Sequence, residues 1–175
     1  QQMVAAHHYS RGGSNTGTFV HGLFPRNAFW ESECVGVAWW IPPTRSAAES
    51  LYPPNWQGVL SLSRLAIAPG VPSNACSFLI RHSMRDIDRR RWPFFVTYAE
   101  TELLGHTGAI YLAAGWQEAG WTKPERTYRL NGRLISRKAG PKTRTHAEMM
   151  AMGCEYLGRF RRKRFIHAMK TAPSR

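Results

Sequence analysis

Two strand-like segments flank one amphipathic helix in the middle of the chain, and this order constrains the fold more than any other feature. Residues 59–67 (VLSLSRLAI) alternate as a strand does, and residues 94–99 (FFVTYA) form a continuous apolar stretch typical of a buried strand. Between them, apolar residues recur at helical spacing, while Arg81, Arg85 and Arg89 share the opposite face. The segment therefore predicts a sheet with this helix packed on one face.

Other segments complete a mixed pattern. Residues 35–41 (VGVAWWI) predict a buried strand, whereas residues 42–57 carry four prolines and predict a loop. A short helix is expected at residues 106–114, and residues 126–130 and 133–137 flank an Asn-Gly pair that is typical of a hairpin. We therefore expect an α/β (α+β) fold in which helices flank one mixed sheet.

Positive charge is concentrated near the carboxyl terminus. Residues 1–122 hold 9 basic and 8 acidic groups, whereas residues 123–175 hold 15 and 3. We expect a single domain over residues 1–175, with a basic extension from about residue 140. The asymmetry favours a polyanion as partner, nucleic acid first; a solvated basic tail and a contact with anionic lipid are the alternatives.

Several classes of protein are excluded at this stage. No apolar stretch approaches the roughly 18 residues of a membrane helix, so we expect no membrane partner and a cytosolic location. Three cysteines without C-x-x-C spacing argue against a disulfide framework and a thiolate zinc site, so Cys34, Cys76 and Cys154 are expected to be buried. No Ser-His-Asp set at recognisable spacing indicates hydrolysis.

The start of the central helix is a candidate phosphate site. A strand that turns into a helix presents free backbone N–H groups and the positive end of the helix dipole, and residues 71–77 occupy this place. The glycine fingerprint is missing, since only Gly70 is present. An ordinary helix capped by Ser73 or Asn74 is the alternative.

The elements after this helix resemble the second half of the acetyltransferase fold that binds acetyl-CoA, the GNAT superfamily. The second buried strand is followed by HTGAIYLAAGW, in which Tyr111 stands on a late helix that closes in Gly-Trp, and then by the hairpin. The resemblance implies central strands that splay apart to admit the thioester. It also implies that Tyr111 acts as acid toward the leaving thiolate; a core aromatic is the alternative.

A closer resemblance rests on four segments taken together: LSRLAIAPGVPSNACSFL, FVTYAE, GHTGAIYLAAGW and EYLGRFRRKRF. In combination they resemble the bacteriophage Mom family of DNA-modifying proteins, divergent relatives of the acetyltransferases, over most of residues 35–167. The resemblance implies transfer of a carbamoylmethyl-type group to N6 of adenine in double-stranded DNA, which blocks restriction enzymes in the cytoplasm of the infected host bacterium. It also implies acetyl-CoA as the donor and iron as a suggested participant. Glu100 departs from the family, which usually carries Asp there.

The chemistry of this transfer selects candidate residues. The exocyclic amine of adenine is a poor nucleophile, so a positioned base is needed, and Glu100 is the best carboxylate for it; a surface glutamate is the alternative. Arg64 in an apolar strand should have a charged partner, either Glu100 or a cofactor phosphate. The catalytic candidates are Glu100, Tyr111, Tyr9, Ser63 and Arg64; the cofactor-binding candidates are Leu65, Ala66, Ile67, Val71, Asn74, Ala75, Ser77 and Tyr111; the metal candidates are His8, Tyr9 and Glu100.

Reaching N6 in a duplex requires the adenine to leave the stack, so base flipping is expected. An ordinary N-acetyltransferase and a noncatalytic basic DNA-binding protein are the alternative functions, and the oligomeric state, a homodimer included, is left open. The candidates for stacking on the extruded base are Trp39, Trp40, Trp56 and Trp116. The candidates for gripping phosphates are Arg126, Arg129, Arg133, Arg137, Arg159, Arg161, Arg162, Lys163 and Arg164.

Overall fold

A computed structural model describes residues 17–26, 34–138 and 142–168. The strands are β1 (Phe19–Leu23), β2 (Gly36–Ile41), β3 (Val59–Ile67), β4 (Phe94–Ala99), β5 (Gln117–Trp121), β6 (Glu125–Leu130), β7 (Arg133–Ile135), β8 (Glu155–Phe160) and β9 (Lys163–Ala168). The α-helices are α1 (Arg45–Leu51), α2 (Ala75–Asp86), α3 (Thr101–Leu104), α4 (Ala109–Ala113) and α5 (His146–Ala151), and a 3-10 helix spans Pro53–Gly58. Six strands form one sheet in the order β1-β2-β3-β4-β9-β5, and three form a second in the order β7-β6-β8.

Helix α2 packs on the six-stranded sheet with the face that its apolar spacing predicts. Ile80 of this helix lies in the main core with Trp40 of β2 and Phe95 of β4. The rings of Trp40 and Phe95 lie 5.0 Å apart, and both residues are fully buried. Arg81 and Arg85 on the opposite face are exposed. The predicted α/β fold, a mixed sheet with flanking helices, is confirmed.

A β-bulge at Ser63 reverses the faces of strand β3. Neighbouring residues of β2 pair with Leu62 and Arg64, so Ser63 is left as the extra residue. One added residue moves every later side chain to the other face of a sheet. Leu65 therefore packs with Leu62 against the main core, whereas continuous alternation placed Leu65 on the side of Val59. The predicted alternation is wrong beyond Ser63.

Strands β3 and β4 part after a short parallel pairing. Their register covers three residues of each strand and ends at Ser61 opposite Val96. Just beyond this point the Thr97 hydroxyl donates a hydrogen bond to the Leu62 carbonyl, at 3.0 Å. The remaining described residues of the two strands form no ladder with each other. The expected splaying of the central strands is confirmed.

The second sheet is an insertion between β5 and β9. Its hairpin turns at Asn131 and Gly132, whose φ angles of 49° and 74° are those of the predicted Asn-Gly turn. Tyr128, Met149 and Cys154 form a small buried core beneath it. Strand β9 then returns to the first sheet and lies between β4 and β5. The described part of the basic carboxyl-terminal segment thus supplies a central strand.

Three local predictions differ from the structure. Residues 42–57 contain α1 and most of the 3-10 helix instead of a plain loop, because the stretch RSAAESL favours a helix once the prolines are passed. Asn74 makes no side-chain cap, because its φ of −85° and ψ of 0° are helical whereas a capping residue is usually extended. Cys154 is buried as predicted, but Cys34 and Cys76 are only partly buried. Within the described ranges, no helix has the length and apolar character to cross a membrane.

Helix α5 begins with a capping box, which gives a stability prediction. The Thr145 hydroxyl accepts from the Glu148 backbone N–H, and the Glu148 carboxylate accepts from the Thr145 N–H and from Lys142. Thr145→Ala should lower the free energy of unfolding by about 1 kcal/mol, measured by chemical denaturation at neutral pH.

The same capping box predicts a pH dependence. The hydrogen bonds from Thr145 and Lys142 lower the pKa of Glu148 from 4.5 to about 2. A carboxylate with a lowered folded-state pKa stabilises the fold above the unfolded pKa, and that stability is lost as pH falls toward the folded value. The stability difference between the unmodified chain and Glu148→Gln should therefore shrink between about pH 4.5 and pH 2. A difference that does not change over this range would contradict the assignment.

Candidate functional site

The parting of β3 and β4 opens a cavity of about 410 Å³. Strand β3 lines it with residues that include Ser63 and Leu65, and β4 with Thr97. Helix α2 contributes Cys76, and α4 with the loop before it contributes the stretch from Gly105 to Tyr111. The cavity therefore lies at the point where the amino ends of α2 and α4 meet the splayed strands.

Glu100 stands at the rim of this cavity, where β4 ends and α3 begins. Its side chain is only 17% exposed, and one carboxylate oxygen lies 3.7 Å from Nη1 of Arg162. Arg162 also binds the carboxylate of Glu125, at 2.7 Å. A nearby guanidinium favours the ionised form of a carboxyl group. The structure thus places Glu100, a predicted catalytic residue, at the cavity. Beside it lies Arg162, which the sequence analysis assigned to the binding of DNA phosphates.

Tyr111 reaches the cavity from helix α4. Its ring packs against Trp116 and Phe165, with ring centroids 6.0 and 5.2 Å away. Burial raises the pKa of Tyr111, a side-chain hydrogen bond with Thr97 opposes this shift, and Cys76 adds to it. The phenol therefore holds its proton at neutral pH and is able to donate it, as the proposed acid role requires.

Ser63 and Arg64 lie together at the bulge of β3. Ser63 lines the cavity as the bulged residue. Nη1 of Arg64 donates to the Ser63 carbonyl at 2.8 Å and to its hydroxyl at 3.3 Å. Glu100 forms an ion pair with Arg162, and a charged partner for Arg64, either Glu100 or a cofactor phosphate, stays a prediction. Arg162 lies just before β9, and sequence distance alone could not match it to this carboxylate.

The predicted cofactor-binding residues divide into two groups. Leu65 lines the cavity, and Ile67 packs against the main core on the same side. The side chain of Ala66 packs instead with Val37 and Trp39 on the far face, because the bulge turns it away, so a contact of Ala66 with the cofactor would have to use its main chain. The others, Val71, Asn74, Ala75 and Ser77, lie in the turn before α2 or in its first residues.

The amino end of α2 is not closed by a side-chain cap. Asn74 makes no capping hydrogen bond, and the Ser77 hydroxyl donates to the Asn74 carbonyl at 3.0 Å. The N–H of Ala75 donates to the Pro72 carbonyl at 2.9 Å, but no side chain caps the N–H groups of Cys76 and Ser77, so these two are available to a ligand oxygen. Cys76 in the same turn lines the cavity, and burial raises the pKa of its thiol. Sequence reasoning missed Cys76 because it was classed as a core residue.

The described residues do not provide an iron site. Among them, no group of three His, Cys, Asp or Glu side chains is placed to hold a metal ion. The predicted ligands His8 and Tyr9 lie outside the described residues. The third, Glu100, lies beside the guanidinium of Arg162, which competes with a cation for the carboxylate. We derive no step that uses iron.

Three of the four tryptophans proposed for base stacking belong to the core. Trp39, Trp40 and Trp116 are 6%, 0% and 3% exposed, so they cannot receive an extruded base. Trp56 is partly buried, and the guanidinium of Arg45 lies over its ring at 5.1 Å. Trp121, which sequence reasoning did not select, is 39% exposed at the end of β5.

Much of the carboxyl-terminal positive charge is already paired. Arg161 binds Glu102, Arg129 binds Glu155, and Lys163 binds Glu118. Other residues predicted to bind phosphates donate hydrogen bonds to carbonyl oxygens: Arg137 to Arg144, Arg159 to Pro124, and Arg164 to Ala119. Two further members, Arg126 and Arg133, are exposed. The ion pairs thus neutralise part of this positive charge, whereas hydrogen bonds to carbonyl oxygens leave the charge of Arg137, Arg159 and Arg164 in place.

Comparison with known proteins supports this fold and gives a family. The sequence profile of the Mom protein family matches residues 1–169. The structure is similar to the ribosomal-protein-S18-alanine N-acetyltransferase from Escherichia coli, with a TM-score of 0.51 and 14% identity over 97% of this chain and 89% of that chain. It is also similar to the polyamine N acetyltransferase from Drosophila melanogaster, with a TM-score of 0.51 and 9% identity over 96% of this chain and 92% of that chain.

A third similar structure is the ribosomal-protein-alanine N-acetyltransferase from Brucella melitensis, with a TM-score of 0.46 and 14% identity over 81% of this chain. The chain spans 66% of the length of that protein. No curated protein sequence matches the chain significantly. The acetyltransferase fold expected from the order of strands and helices is confirmed by the first two structures.

Proposed function

Because the chain belongs to the Mom protein family, we propose that it modifies adenine in double-stranded DNA with a carbamoylmethyl-type group derived from acetyl-CoA. The acceptor is the N6 amino group, and the result is DNA that restriction enzymes do not cut. The observation that carries the proposal is the cavity between the splayed strands, with the carboxylate of Glu100 and the phenol of Tyr111 at its lining.

The cavity suits the thioester arm of such a cofactor. Its volume of about 410 Å³ lies within the range of small-molecule sites. Beyond Leu62, whose carbonyl accepts from Thr97, the main chain of β3 does not pair with β4, so its groups are available to an extended ligand between the strands. The uncapped amino end of α2 supports a diphosphate at residues 71–77. When bound, acetyl-CoA supplies an electrophilic carbonyl carbon.

Two side chains of the cavity match the proton transfers of acyl transfer from a thioester to an amine, in which the bond from nitrogen to the carbonyl carbon forms and the carbon–sulfur bond breaks. A carboxylate oxygen of Glu100 accepts a proton from the N6 amine, and Nη1 of Arg162 lies 3.7 Å from that carboxylate. Tyr111 keeps its phenolic proton because burial raises its pKa, so it donates toward a developing thiolate. Because the cavity is a cleft between strands, the adenine reaches it only by leaving the duplex stack.

A labelling experiment tests the proposal. The protein is incubated with duplex DNA, bacterial cell extract and acetyl-CoA that carries an isotope in its acetyl carbons. The DNA is then digested to nucleosides, whose masses are measured by mass spectrometry. The extract is included because a carbamoylmethyl group contains a nitrogen atom that acetyl-CoA lacks, and because joining its methylene carbon to N6 requires a two-electron oxidant. We expect the label in a heavier deoxyadenosine, and only when the protein is present.

Two other outcomes would replace the proposal. An unshifted deoxyadenosine mass, with metal supplied and binding of acetyl-CoA confirmed, would favour a noncatalytic DNA-binding protein. Label in a protein or a small amine, and none in the DNA, would favour an ordinary N-acetyltransferase.

A further inference from the structure

A second basic surface lies at the far end of helix α2 from the cavity. Here Arg81 and Arg85 of α2, Arg89 of the turn that follows, and His167 of β9 line an open groove of about 1020 Å³. Gly115 and Gln117, which follow α4, form part of its wall. We call these four basic residues the α2 arginine row and its histidine.

This groove has no acidic residue among the described residues that line it. The two nearest acidic positions in sequence form no ion pair with Arg81, Arg85 or Arg89. Asp86 lies 3.8 Å from the His21 ring, and Asp88 accepts a hydrogen bond from the Arg90 backbone. In the second sheet, by contrast, pairs such as Arg129 with Glu155 neutralise the cations. Fewer cations are therefore neutralised by ion pairs at the arginine row than on much of the carboxyl-terminal segment. The positive field that attracts an anion is reduced less there.

Two nitrogen atoms of the groove are buried and have no partner in another described residue. They are Nη1 of Arg89 and Nδ1 of His167. Arg89 is fixed in place, since its Nη2 donates to the Pro93 carbonyl at 3.1 Å and its guanidinium lies 3.9 Å from the centre of the Phe95 ring. A buried donor without an acceptor destabilises the protein, and a ligand oxygen in the groove would accept from Nη1 of Arg89.

The spacing of the row fits a chain of anions better than a single ion. Positions four residues apart on an α-helix are separated by about 6 Å along the axis, so Arg81 and Arg85 form the start of a repeating cationic edge that Arg89 continues. Cys76 at the cavity and Arg85 in the groove lie nine residues apart, or about 13 Å along the helix. The diphosphate proposed at the amino end of α2 therefore cannot also occupy the groove.

We propose that the α2 arginine row and its histidine bind the sugar-phosphate backbone of DNA, at a site separate from the catalytic cavity. The inference rests on the proposed function for the identity of the polyanion. It moves the main phosphate contact from the carboxyl-terminal cations, many of which are paired, to a helix whose cations face an open groove. Phosphate contacts of this kind position the duplex and carry no sequence information.

The test compares two variants that each lose two positive charges. Arg81→Ala/Arg85→Ala removes two exposed members of the row, and Arg45→Ala/Lys142→Ala removes two exposed cations that are paired with Glu49 and Glu148. Binding of a labelled duplex is measured by fluorescence anisotropy at several salt concentrations. The first variant should bind roughly tenfold more weakly, and the slope of log affinity against log salt should fall by about two.

The control variant should bind nearly as the unmodified chain does. Equal losses in both variants, with both folded by circular dichroism, would show a bulk charge effect and overturn the site. If the proposed function is wrong and the groove is right, deoxyadenosine stays unmodified, but Arg81→Ala/Arg85→Ala still binds duplex DNA more weakly than the unmodified chain. Conversely, if the unmodified chain modifies DNA and the row variant binds DNA normally, only the groove is wrongly assigned.

Discussion

Glu100→Gln should reduce DNA modification by about 10²- to 10⁴-fold, the contribution that a positioned general base makes. The amide has almost the shape of the carboxylate but cannot accept the proton of the adenine amine. The affinity for DNA should stay within about twofold, because Glu100 lies at the lining of the cavity and is only 17% exposed. The measurements are the rate of deoxyadenosine modification under single-turnover conditions and duplex binding by anisotropy.

Glu102→Gln is a matched control for this variant. Glu102 lies two residues further along the chain, is paired with Arg161, and is not among the residues that line the cavity. It should modify DNA at nearly the normal rate. If both variants lost activity equally, the loss would reflect the ion pairs that hold β9 and not proton transfer. If Glu100→Gln lost DNA affinity as well, catalysis and DNA binding would be wrongly separated.

Much of the fold could be predicted because the burial pattern of its central elements is strong. The stretches FFVTYA and VLSLSRLAI became β4 and β3, and the helix with its arginine edge became α2. The bulge at Ser63 could not be predicted, since nothing in an alternating stretch marks where one residue will be left unpaired. The bulge decides on which face of the sheet each later side chain of β3 lies. The sequence therefore could not show that the side chain of Ala66 packs with Val37 and Trp39 on the far face.

The site could be predicted only as far as local sequence carries it. Glu100 and Tyr111 follow directly from elements whose ends are visible in the sequence, and both line the cavity. Arg162 is separated from Glu100 by an inserted sheet, so its place beside the carboxylate depends on how β9 pairs with β4. Composition placed the polyanion contact on the carboxyl-terminal segment, because a count of charges does not show which cations the fold pairs with glutamates.

Gly108→Ala should be the most destabilising small substitution near the cavity. The residue precedes helix α4 with a φ of 80°, a conformation that costs an L-residue about 1 to 2 kcal/mol. Its new Cβ would lie 2.1 Å from the ring of Phe165, a fully buried residue of β9, and overpacking of this kind costs about 1 to 3 kcal/mol more. A combined loss of about 3 kcal/mol should lower the Tm by about 6 to 12 °C.

Gly105→Ala separates the two causes, because it shares one of them. Gly105 has a φ of 69°, also left-handed, but a Cβ there would meet no atom within 4 Å. Its loss of stability should be the backbone cost alone, so the difference between the two variants measures the contact with Phe165. Phe165 also packs against Tyr111, so Gly108→Ala should displace the phenol and weaken acetyl-CoA binding. Equal melting temperatures would mean that α4 is not held against β9 at Gly108, and the position of Tyr111 in the cavity would then lose its support.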